Sequence, residues 1–199
     1  MALLSDSYHH GNVPAALKSA ALVRIETDGI ENLSFRALAR DIGVSQAAPY
    51  KHYKDKKDLL AELASSGFIL LTQCQEEAIS SNSGLNVIIG MGLAYLQFAK
   101  NNPIYYRLMF GTYSQDYFRH EKLQESSDVM FEYFVTHLNE ATKLGLLIDK
   151  DPKTLARMFI ASLHGAAAII ANDIYKDTPF KFNVCFTEFV RLTVQGITK

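Results

Sequence analysis

Gly43 divides the stretch SFRALARDIGVSQAAPYKHYKDKKDLL, residues 34–60, and limits what it can fold into more than any other residue there. Ahead of it runs a short helical pattern, with Ser34 suited to cap its start and Leu38, Ala39 and Ile42 on one side. Glycine takes the left-handed conformation of a tight helix end at little cost. Ala39, one turn earlier, is small enough for a crossing helix to come close, and Val44 fills the angle between the two. Ser45 is then placed to cap a third helix, QAAPYKHY, with Pro49 in its first turn. Six lysines and arginines stand here against three aspartates, in a chain whose formal net charge is −1. Two helices on a tight glycine turn, the second solvent-facing with cations and tyrosines, have the build of a DNA-binding helix-turn-helix. They equally fit a corner in an all-helical protein whose charges are merely solvated.

The rest of the chain is helical in pattern. NVPAALKSAALVRIETDG opens with Asn12 as N-cap and Pro14 in the first turn. Leu17, Ala20, Ala21, Ile25 and Leu33 supply its apolar side, and Gly29 ends it. Asp55 caps a long helix through about Ser80, with Leu59, Leu60, Leu63, Ile69 and Leu70 as core candidates. SNSG, residues 81–84, breaks that pattern and marks a domain boundary. Beyond it the pattern predicts helices over residues 85–99, from NNP to Gly111, over 115–143, over 152–175 and over 182–197. No stretch alternates as a strand does.

At 199 residues, with 48% hydrophobic and 21% charged, the chain has the composition of a globular protein. VIIGMGLAYL and MFIASLHGAAAIIA are both shorter than the roughly 20 residues of a bilayer span. The first residues have neither a basic start nor an apolar core like a signal peptide's. Cys74 and Cys185 form neither a local metal motif nor a disulfide framework, and are expected as free thiols in a cytoplasmic protein.

The residues from about 12 to 60 resemble, without a gap, the N-terminal domain of the TetR family of bacterial transcriptional regulators. The likeness rests on Gly29, on Ser34, and on ALARDIGVS, YKHYKDK and LL in that order and spacing. NNPIYYRLMFG and SLHGAAAII are similar to the C-terminal domain of an AcrR-like branch, with Leu163-His164-Gly165 where that branch reads Trp-His-Gly. The resemblance implies an all-α fold: a three-helix helix-turn-helix domain over residues 1–54, a linking helix over 55–80, and an effector-binding and dimerisation domain over 81–199. It implies base contacts from Gln46, Ala47 and Lys51, a set suited to adenine, the thymine methyl and guanine. It implies phosphate contacts from Tyr50, His52 and Lys56, with Ser34, Arg36 and Ser45 beside them, and places Tyr53 in the core. His9 and His10 are read as a solvated tail, with an arm against DNA as the alternative.

The second domain crowds aromatic residues together. Most are expected as packing, and several as the lining of an effector pocket: Phe98, Tyr105, Tyr106, Phe110, Tyr113, Phe131, Phe134 and His164. His164 fits a packed core as well as a pocket. The last two helices offer small and apolar residues for self-association, Met158, Ala161, Gly165 and Ile169 on one, Phe182, Phe186 and Phe189 on the other. The expectation is a homodimer on double-stranded DNA, a repressor released by a small-molecule effector, with no cofactor, metal or membrane partner. The alternatives are a ligand-independent or activating regulator of the same fold, or an all-helical enzyme or carrier. Against the enzyme stand the missing nucleophile–base spacing, metal pattern and phosphate-binding glycine loop.

Overall fold

The computed structural model describes residues 12–172 and 185–199, and among these the chain forms eight α-helices. They are α1 (Val13–Asp28), α2 (Phe35–Asp41), α3 (Lys56–Ile79), α4 (Leu85–Asn101), α5 (Pro103–Phe110), α6 (Glu121–Lys143), α7 (Pro152–Ala171) and α8 (Phe186–Gln195). Short 3-10 turns lie at Pro49–Lys51 and Thr112–Asp116. The expected caps close the early helices. Asn12 Oδ1 accepts from the Ala15 amide (3.1 Å), Ser34 Oγ from Ala37 (3.3 Å) and Asp55 Oδ1 from Asp58 (2.9 Å).

α2 ends as its glycine dictates. Gly43 has φ +70°, its amide bonds Arg40 O, and the Val44 amide bonds Ala39 O at 2.9 Å. These two bonds satisfy carbonyls that the helix end would otherwise orphan. The expected third helix over 46–53 does not form as an α-helix. Gln46 and Ala47 lie in a turn, and only Pro49–Lys51 is helical, with 3-10 geometry. Pro49 has no amide hydrogen for Ser45 O, and its ring crowds that carbonyl. The segment is held instead by the tighter pairs Ala48 N to Ser45 O and Lys51 N to Ala48 O. Ser45 therefore serves through its carbonyl and not as a side-chain cap.

α3 packs on α4, α5 and α6, so one continuous core joins the N-terminal helices to the rest. Leu59, Leu60 and Leu63 are buried as expected, and Leu70 is half-buried. Ile69 is 51% exposed, because it faces a surface groove between α3 and α6. α6 begins at Glu121 and not at 115. The buried Tyr117 donates to Leu108 O at 2.7 Å, and that tie holds the preceding residues in the 3-10 turn. α7 runs 20 residues and by length and composition is apolar enough to cross a bilayer, contrary to the expected shortfall. Its buried side packs on α4 and α6. The expected extension of this helix to 175, and Phe182 with the start of the last helix, lie outside the described residues. The C-terminal residues return to the α6–α7 loop, where the Ile148 amide bonds Ile197 O at 2.9 Å.

Candidate nucleic-acid interface

Phe35, the first residue of α2, is the platform on which the basic segment is assembled. Tyr50 stands edge-on to its ring at 5.0 Å and Tyr53 lies on it at 6.5 Å. The two tyrosines face opposite ways. Tyr53 is 5% exposed, and burial pushes its phenol up to about 12, while Tyr50 is 64% exposed. Ser34, Arg36, Ser45, Gln46, Ala47, Lys51 and His52 are all exposed as well. The α2 N-terminus and the 3-10 turn thus present one surface, with helix-end amides and hydroxyls beside cations, an arrangement suited to phosphate oxygens.

The aspartates of this segment are turned away from that surface. Asp41 takes a two-pronged bond from Arg24, which holds its carboxyl below the usual range. Asp55 caps α3. Asp58 accepts from the Lys54 amide and from His120 Nε2, each at 2.8 Å. Arg36, Arg40, Lys51 and Lys54 have no carboxylate within ion-pair reach among the described residues. A modest excess in sequence becomes a cationic face, because the negative charges are spent on the fold. Lys56 is placed differently from the other phosphate candidates. It is half-buried, and its Nζ donates to Glu31 O at 3.0 Å, which braces the α1–α2 loop.

Residues 17–63 match the model of the bacterial regulatory proteins of the tetR family, and residues 88–192 match the tetracyclin repressor-like C-terminal domain. The chain belongs to the TetR family of transcriptional regulators. It is 24% identical over 157 residues to the uncharacterized HTH-type transcriptional regulator YobS of Bacillus subtilis, covering 79% of this chain and 78% of that one. It is 26% identical over 172 residues to the nucleoid occlusion factor SlmA of an Enterobacter species, covering 82% and 84%. A solved structure of a protein with unknown function from Rhodococcus sp. RHA1 superposes with a TM-score of 0.79 at 29% identity, covering 98% of this chain and 100% of that one. Members of this family bind DNA through the helix-turn-helix, and the chain is a regulator, not an enzyme.

The effector candidates of this TetR-family chain do not all come together. Tyr106, Phe110, Phe134 and His164 meet around Tyr95, whose ring lies 6.2 Å from Tyr106 and 6.4 Å from Phe134. Tyr106 Oη is 2.6 Å from His164 Nδ1, and the rings stack at 5.7 Å. Burial lowers the pKa of His164. Tyr105 lies at the edge of this cluster, half-buried. Phe131 sits under Arg157, and Phe98 lines a groove with Cys74 and Phe186. Tyr113 belongs elsewhere. It bonds the Glu31 carboxylate, pulling that group below its usual range and tying the α5–α6 connection to the α1–α2 loop.

Several positions in these two regions carried no expectation. Arg40 and Lys54 join the cationic face. Tyr95 is fully buried, and its hydroxyl makes no well-formed hydrogen bond beside that of Tyr106. The trace it leaves in sequence is one tyrosine inside the apolar run VIIGMGLAYL. On α7, Met158, Ala161 and Gly165 are exposed and Ile169 is half-buried. Phe186 and Phe189 of α8 are half-buried against the body of the protein.

Proposed function

We propose that this regulator is a cytoplasmic repressor that binds a palindromic operator as a homodimer and lets go when a small molecule enters its C-terminal helices. The division into residues 1–54, 55–80 and 81–199 belongs to this reading. The observation that carries it is the cationic face around Phe35, exposed while its neighbouring carboxylates are engaged internally. Gln46, Ala47 and Lys51 would meet base edges, and Ser34, Arg36, Ser45, Tyr50 and His52 the phosphates, with Arg40 and Lys54 added. One such turn reads too few base pairs for a useful site. Two of them, spaced by about 34–36 Å in a dimer, read both halves of a palindrome.

α3 supports the coupling, since it starts beside the DNA-facing turn and packs along α4, α5 and α6. A molecule that tilts it changes the spacing of the two turns. An effector that prefers the released form ~100-fold shifts the balance by about 2.7 kcal/mol. The test is selection of bound sites from a random duplex library, followed by titration of the winner at several salt concentrations. A palindrome bound with a steep salt slope is expected. A palindrome's dimer carries two copies of Arg36, so Arg36→Ala should lower that slope by about 2. Absence of any enriched site would overturn the reading.

A further inference from the structure

The C-terminal core contains polar groups that its own packing leaves unpaired. Tyr95 Oη is buried on α4 and makes no well-formed hydrogen bond; its polar neighbour is the Tyr106 hydroxyl, which is itself engaged with His164. Gln75, 0% exposed on α3, reaches Met91 O with Nε2 at a long 3.5 Å and leaves Oε1 unpaired. Met91 is one helical turn before Tyr95, so Gln75 reaches the same stretch of α4 that carries Tyr95. Phenylalanine at 95 would pack the same rings without stranding a hydroxyl, and stranded buried polar groups are rare in native cores. The Tyr95 hydroxyl is therefore available to a partner from outside the chain.

The surroundings define that partner. Among the described residues the buried polar side chains, tyrosines apart, are Ser65, Thr72 and Gln75, so no lysine, arginine, aspartate or glutamate is buried. A carboxylate or ammonium drawn into this core would lose its hydration and meet no fixed counter-charge, since burial favours the neutral form of His164, the one titratable imidazole in the cluster. An uncharged molecule avoids that penalty. Its carbonyl or hydroxyl oxygen accepts from Tyr95, a hydroxyl can donate to Gln75, and its apolar body lies against Phe110 and Phe134. Room comes from the methionines. Met91 and Met130 each stand one turn before a cluster ring, and Met109 adjoins Phe110, all of them buried and unbranched. Such unbranched side chains rearrange more readily than branched or aromatic ones, so a ligand makes its room by shifting them.

We propose that the space around Tyr95 and Gln75 is a binding site for uncharged apolar molecules bearing a ketone or hydroxyl oxygen, and that it discriminates against carboxylates of the same shape. This rests on the reading that a small molecule controls the regulator, and it names the chemical class.

The experiment uses the full chain and matched probes: acetylnaphthalene against naphthoate, octanol against octanoate, and cyclohexanone against cyclohexanecarboxylate. Affinities are read by calorimetry and operator release by fluorescence anisotropy. Each neutral probe should bind at least about tenfold more tightly than its carboxylate. Tyr95→Phe should leave the melting temperature of the unliganded protein nearly unchanged, because only a weak contact with the Tyr106 hydroxyl is lost, and weaken the neutral probes by about tenfold. Carboxylates bound as tightly as their neutral partners overturn the proposal, and that comparison needs no variant. It is overturned too if Tyr95→Phe binds the neutral probes as the parent does, or if neither class binds. Tyr95-dependent binding that leaves operator affinity unchanged upholds the site and overturns effector control. Operator release by a carboxylate, independent of Tyr95, does the reverse.

Discussion

Single residues set the DNA-facing turn and the core by separate physical effects. Gly43 illustrates the first. Its φ of +70° lies where side chains strain the backbone, yet a Cβ there meets no atom within 4 Å. Gly43→Ala should therefore cost only the backbone term, about 1 kcal/mol, read by urea denaturation. His164 illustrates the second. Burial favours its neutral form, and Nδ1 in that form accepts from Tyr106. The unfolded chain takes up the proton at about pH 6.5, its ordinary value. This contribution is whole above that pH and is lost as pH falls through it and below. Stability should decline on acidification from pH 7 to 5, and His164→Gln should flatten the decline in a series of denaturation curves. Gly43 was legible because a turn leaves a local mark, and the inward Tyr53 followed from the family resemblance. Tyr113 was not legible, since its partner Glu31 is 82 residues away and neither residue marks the other in sequence.

Helices were legible where their ends carry their own signals and obscure where a distant contact decides. Asn12, Ser34 and Asp55 cap α1, α2 and α3 as expected. The start of α6 is decided by Tyr117 reaching Leu108 and His120 reaching Asp58, neither of which a local pattern reveals. The third helix was expected from the Ser45 cap and the turn before it, not from an apolar pattern, and its one proline leaves a 3-10 turn instead. Close approach between helices gives a sharper test. A Cβ at Gly67 would meet Met109 Sδ at 2.7 Å, and one at Gly92 would meet Val190 Cγ1 at 2.8 Å and Phe159 Cζ at 3.1 Å. The distances are similar but the neighbours are not. A methionine end can swing aside, whereas a branched valine and a packed ring cannot. Gly92→Ala should cost about 1–3 kcal/mol and loosen α8 from α4, with amide exchange rising on α8. Gly67→Ala should cost less than half as much in the same denaturation assay.

For the whole molecule, the main physical tension lies on α7. Its composition is apolar enough for a bilayer, yet only 39% of its most apolar window is buried within the chain. Met158 is 56% exposed on α7 and Leu192 is 60% exposed on the neighbouring α8. Gly165 has open space where a side chain would stand, as a close-packing partner helix requires. A second copy presenting the same two helices would cover this surface with a symmetric patch of equal character. In the proposed homodimer the cationic faces would depend on that pairing, because two linked turns gain from effective concentration what one turn lacks. Met158→Glu places a charge in the middle of the patch and nothing in the core, so the monomer should keep its helical circular dichroism. Sedimentation should then show the mass halved, and operator affinity should fall by roughly 100-fold or more. A Met158→Glu protein that stays dimeric and grips its operator would place the pairing surface on another part of the molecule.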